Sequence, residues 1–149
     1  MRFRSEDKPK DVSLRQALQK LVRLKNAFQK MKIDLVFVHG SLAKDALKHL
    51  SDIDIAVLFS QEKFNFEKIS AVVQKISEAL EREDIDLMVL NHASPVACMQ
   101  VLCNGKLVYC RNEKALKKFR LRAIQQYLAT QHLRSSFNRY MEAAILKRS

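Results

Sequence analysis

The period of the apolar positions changes several times along the chain, and each change marks an element. From 13 to 31, Leu14, Leu18, Leu21, Val22, Phe28 and Met31, with Ala17 between them, recur at helical spacing. Ser13 and Gln16 have the form of a capping box at its start. DLVFVH at 34–39 is a short β-rich run ended by Gly40, where the backbone is free to turn and a ligand to approach closely. Residues 43–50 predict a short helix whose N-terminal amides point back toward Gly40 and Ser41. DIDIAVLF at 52–59 is a second strand. An amphipathic helix follows over 66–82, carried by Phe66, Ile69, Val72, Val73, Ile76, Ala79 and Leu80. DIDLMVL at 84–90 is a third strand, and Ser94-Pro95 opens a helix that ends before Gly105. KLVYCR at 106–111 has the length of an edge strand. From about 113 to 147, Leu116, Phe119, Ala123, Tyr127, Phe137, Met141, Ala144 and Ile145 mark the apolar side of one long helix or two. No internal repeat is visible. The pattern is an α/β (α+β) fold, a small mixed sheet flanked by helices with a long C-terminal helical segment. It reads as one domain, 1–149, with an N-terminal helix (1–33), a core (34–111) and a C-terminal helical extension (112–149).

The second strand carries the candidate chemistry. Asp52 and Asp54 are spaced i, i+2, which puts both side chains on one face of a strand whose other residues are apolar. Two carboxylates roughly 5 Å apart at an effective dielectric of about 20 repel by about 3 kcal/mol. A hard divalent cation relieves that repulsion and prefers carboxylate oxygens, so the stretch predicts a Mg²⁺ site beside a phosphate-binding turn. The third strand adds Asp84 and Asp86, again i, i+2. Asp86 lies deeper in the apolar run and is the better candidate to reach the same metal. Asp84, next to Glu83, reads as a solvated residue at the strand mouth.

Composition limits the partners. The 149 residues are 48% hydrophobic with two Gly and two Pro, which suits one core and no low-complexity linker. No run is apolar and long enough to span a bilayer, and the charged N-terminus lacks a signal core. Cys98, Cys103 and Cys110 are odd in number and lack metal-site spacing, as free thiols in a reducing cytoplasm would. The net charge of +11 is uneven: +6 over 1–34, −3 over 35–110 and +8 over 111–149. Basic flanks around an acidic core suit an anionic partner such as a nucleotide, a nucleic acid or an acidic protein. With eight Phe, three Tyr and no Trp the chain shows no aromatic platform for RNA, so direct nucleic-acid binding is not expected. His39, His49, His92 and His132 form no ligand or catalytic set by spacing, although His39 stands where it can line a nucleotide pocket.

Gly40-Ser41, then Ser51-Asp52-Ile53-Asp54, then Asp86 on a later strand, resembles the DNA polymerase beta-like nucleotidyltransferase superfamily. Over about 34–111 the chain is similar to the minimal nucleotidyltransferases, the MNT-type antitoxins of HEPN ribonuclease toxins. The resemblance implies the nucleotidyltransferase fold. It implies that Gly40, Ser41, Ser51 and Lys44 bind the nucleotide, with the Gly-Ser pair on the triphosphate of ATP. It implies that Asp52 and Asp54 bind two Mg²⁺ ions, and that Asp86 completes the site as ligand and base. Such proteins transfer AMP to a tyrosine of the cognate HEPN toxin and silence its RNase activity. Two positions depart from the family pattern: His39 stands where an aromatic residue is usual, and Asp45 where glycine often follows the basic residue. The alternative reading is a catalytically weak module that neutralises its toxin in a hetero-oligomeric complex, docking through the long basic helices.

Overall fold

The runs at 34–39 and 52–59 are apolar toward both faces, as strands covered on both sides must be, and the fold is layered around them. The computed structural model describes residues 13–40, 52–61 and 63–147. Helices α1 (Leu14–Val22) and α2 (Lys25–Lys30) lead into β1 (Ile33–His39). Then come β2 (Ile53–Phe59), α3 (Phe66–Leu80), β3 (Ile85–Val89), α4 (Pro95–Asn104), β4 (Lys106–Cys110), α5 (Glu113–Ala129) and α6 (Gln131–Leu146). The four strands form one mixed sheet in the order β3-β2-β1-β4. β1 is antiparallel to β2 and β4, and β2 is parallel to β3. A parallel pair needs a crossover, which α3 supplies.

Alternation along the strands divides the core. Val36, Val38, Ile55 and Val57 pack with Ala17, Leu21, Phe28, Val72, Ile76 and Leu80 beneath α1, α2 and α3. Leu35, Phe37 and Ala56 pack with Cys98, Val101, Phe119 and Ala123 beneath α4 and α5. Both N-terminal caps that the sequence predicts are present. Ser13 and Gln16 close a capping box, and Ser94 accepts from Ala97 N–H with Pro95 in the first turn. All three cysteines are free, and Cys98 is buried. Among the described residues no helix is long and apolar enough to cross a membrane.

One helical expectation changes, and one left open between two alternatives is resolved. The helix expected over 13–31 is two helices, broken by a tight turn in which Leu24 N–H donates to Leu21 C=O at 3.0 Å. Leu21 and Phe28 are two turns apart on either reading, so periodicity records the shared face and not the change of axis. That change brings Phe28 against Tyr109, ring centroids 5.5 Å apart, and aims the chain into β1. The C-terminal segment is also two helices, parted at Thr130. The Thr130 hydroxyl donates to Gln126 C=O at 2.9 Å and Tyr127 C=O at 3.2 Å, a local bond that competes with helix continuation. Phe119 and Ala123 are buried as the apolar pattern requires, but no residue of α6 is buried.

Candidate functional site

The sheet register gathers the acidic residues. Asp54 is paired with Asp86 across the parallel β2/β3 ladder and with His39 across the antiparallel β1/β2 ladder. His39, Asp54 and Asp86 therefore form one row over three strands. The row sits where β1 ends and β2 and β3 begin, on the side covered further along by Ala56 and Met88. Burial pushes the Asp54 carboxyl above the usual carboxylate range. The charge of His39 opposes that rise. The charges of Asp86 and Asp52 and a hydrogen bond shared with Asp86 add to it. Asp54 is half-buried, whereas Asp86 and Asp52 are exposed.

Gly40 closes the row at the end of β1. Its φ of +67° is in the left-handed region. A Cβ placed there would lie 2.2 Å from Asp54 Oδ2, so the Gly40 backbone rests directly against that carboxyl. Beside it, His39 Nε2 is buried and has no hydrogen-bond partner among the described residues. Ser41, Lys44 and Ser51, with Asp45 and the helix expected over 43–50, lie outside the described residues.

Of the expected set Asp52, Asp54 and Asp86, the β2/β3 ladder sets Asp54 beside Asp86. Asp52 precedes Ile53, the first paired residue of β2, so no ladder partner holds it and its side chain faces solvent. Among the described residues no group of three or more His, Cys, Asp or Glu side chains stands together as a metal-binding set. Asp54 and Asp86 are nonetheless adjacent hard oxygen donors, and the raised Asp54 carboxyl is a site where added positive charge is favoured. The donor chemistry fits a divalent cation bound by this pair, with Asp52 at the mouth.

Arg82 is a residue the sequence reading missed. Its side chain is 0% exposed, and it grips Asp84 with two hydrogen bonds, Nε to Oδ1 at 2.8 Å and Nη2 to Oδ2. Asp84 is thus an ion-pair partner and not the solvated residue expected at the strand mouth. Its backbone C=O accepts from Ile53 N–H at 2.9 Å, the first bond of the β2/β3 ladder. The pair therefore anchors the register that places Asp86 beside Asp54. The only signal for it was an arginine two residues before an aspartate at the border of an apolar run.

The hydrogen bond from Arg82 holds the Asp84 carboxyl below its ordinary value. A carboxyl depressed in the folded state stabilises above its unfolded value, about 3.9, and that stability is lost as pH falls through the folded value beneath it. Asp84→Asn should cost about 2 kcal/mol at neutral pH in denaturant unfolding, since it weakens the grip on a buried guanidinium. The difference from wild type should shrink on acidification below about pH 3.9.

Similarity to known proteins follows the same stretch of chain. The family model described as "Polymerase beta, Nucleotidyltransferase" matches residues 22–114. The protein adenylyltransferase MntA of Shewanella oneidensis is 34% identical over 104 residues, 70% of this chain and 70% of that one. A toxin–antitoxin structure with AMP-PNP contains a chain that superposes with a TM-score of 0.66 at 28% identity, covering 86% of this chain and 98% of that chain. A complex of tri-AMPylated Shewanella oneidensis HEPN toxin with MNT antitoxin gives 0.63 at 26% identity, covering 89% of this chain and 98% of that chain.

Proposed function

The chain belongs to the polymerase beta nucleotidyltransferase family, and from that membership we propose that it transfers AMP from ATP to a tyrosine hydroxyl of a HEPN-type toxin and so acts as its cytoplasmic antitoxin. The observation that carries this reading is the Asp54–Asp86 pair set in register against the Gly40 turn. A similar chain is a protein adenylyltransferase, and others sit in complexes with a HEPN toxin or with an ATP analogue.

On this reading Asp54 and Asp86, with Asp52, hold two Mg²⁺ ions. Bound there, magnesium lowers the pKa of the attacking hydroxyl and stabilises charge at the α-phosphorus during in-line displacement. The open backbone at Gly40, with Ser41, Ser51 and Lys44, binds the triphosphate. The tyrosine oxygen forms a bond to the α-phosphorus as the bond to the β-phosphate oxygen breaks, and pyrophosphate leaves. On the same reading Asp86, exposed beside Asp54, accepts the phenolic proton.

The test is the intact mass of the HEPN-fold toxin from the same genome, incubated with this chain, ATP and Mg²⁺. Wild type should add AMP units, and Asp52→Ala should add none. An unchanged mass alongside tight, inhibitory binding would favour neutralisation by complex formation alone.

A further inference from the structure

Helix α6 has sixteen residues and buries none of them. Leu133, Phe137 and Tyr140 are 67%, 62% and 71% exposed. Their i, i+4, i+7 spacing lines them up as one stripe, with Met141 at its edge. Helix α5 is apolar on two opposite sides. Phe119 and Ala123 face the core, while Leu121, Ile124 and Leu128 form an exposed row on the far side. A short isolated helix gains little stability from its own hydrogen bonds, so a bare apolar stripe of this length calls for something to cover it.

The junction between the two helices is locked. Arg134 donates from Nη2 to Tyr127 C=O at 2.8 Å and from Nη1 to the Thr130 hydroxyl. Its guanidinium lies 3.9 Å from the centre of the Tyr127 ring. The stripe is held out on a preorganised arm, and preorganisation lowers the ordering entropy that docking must overcome.

Resting on the transferase reading above, we propose that α6 is the docking arm for the toxin that this chain modifies. The toxin presents to it an apolar helical face bordered by carboxylates. The family match ends at residue 114, as α5 begins, so α6 lies outside the matched stretch. Chains from toxin–antitoxin structures nonetheless match 86% and 89% of this chain, so those matches run past residue 114 into the C-terminal helical segment. Charge selects the occupant: residues 113–147 hold eight Lys/Arg against Glu113 and Glu142. A second copy would set these cations against their like, on a chain of net charge +11, whereas a carboxylate-rimmed partner is attracted.

The experiment uses the full chain and the HEPN-fold toxin from the same genome. Calorimetry reads toxin binding, intact mass reads AMP transfer, and titration with AMP-PNP reads the nucleotide site. Phe137→Glu and Leu133→Glu should each weaken toxin binding by roughly thirtyfold or more, and leave AMP-PNP affinity unchanged. Arg139→Glu should slow association and flatten its salt dependence. Toxin affinity unaltered in both α6 variants, or no toxin binding by wild type, overturns the proposal. So does sedimentation of the chain alone as a dimer that Phe137→Glu dissolves, for the occupant is then a second copy. A toxin complex that depends on α6 but leaves the toxin's mass unchanged refutes the transferase reading and keeps the arm. AMP transfer that α6 variants perform with unchanged toxin KM does the reverse.

Discussion

Asp54→Asn should lower AMP transfer by about a thousandfold or more, equivalent to about 4 kcal/mol of transition-state stabilisation. Asparagine keeps the shape of the side chain and offers an amide N–H toward Asp86, so the ladder is undisturbed. What it removes is one of the two adjacent negative charges. The wild-type carboxyl is raised by burial and by Asp86 and Asp52, with only His39 opposing. A carboxyl raised in the folded state destabilises when ionised, so the substitution should leave the metal-free protein as stable as wild type or slightly more so at neutral pH. Binding of Mg²⁺ to the folded state adds stability by mass action, and that increment should vanish in the variant. Thermal unfolding with and without Mg²⁺, beside the mass assay, separates a lost metal site from a lost fold. Wild-type turnover by Asp54→Asn would move the chemistry away from this row.

Local pattern carried the strands and most helices because each buries a face that its own period writes into the sequence. Ile53 to Phe59 and Ile33 to His39 are such runs, and so is Phe66 to Leu80 with its αL end at Glu81. The i, i+2 aspartates marked the strand on which Asp54 comes to lie beside Asp86. They did not reveal that Asp52 would fall outside the ladder, because that depends on where pairing with β3 begins. Pairing begins at Ile53 and Ile85, held by Asp84 and through it by Arg82, a contact between side chain and strand start that no periodicity encodes. The juxtaposition of His39, Asp54 and Asp86 is likewise a matter of register between segments far apart in sequence. In the C-terminal helices the apolar positions were legible, but the sequence does not say whether another part of the chain covers them. Phe119 is covered and Phe137 is not.

Gly40→Ala should damage both stability and activity, and by a route distinct from Asp54→Asn. A φ of +67° costs an L-residue about 1–2 kcal/mol. The new Cβ would also lie 2.2 Å from Asp54 Oδ2 and 3.0 Å from Cγ, inside van der Waals contact. Neither partner moves freely. His39 fixes Gly40 at the end of the β1/β2 ladder, and the same ladder fixes Asp54. The carboxyl must swing off its present position, away from the alignment with Asp86 that a shared metal requires. We expect a stability loss of about 2 kcal/mol and a fall in transfer of about a hundredfold, since misplacement of about 1 Å near reacting atoms is enough for that. The two causes separate in a double-mutant cycle with Asp54→Ala. Shortening Asp54 removes Oδ2 and Cγ, leaving its Cβ 3.3 Å away, so the steric part of the Gly40→Ala loss should be relieved and the backbone part should remain. If Gly40→Ala costs the same stability with and without Asp54→Ala, its effect is backbone strain alone, and the turn does not press on the carboxyl that the proposed metal site needs.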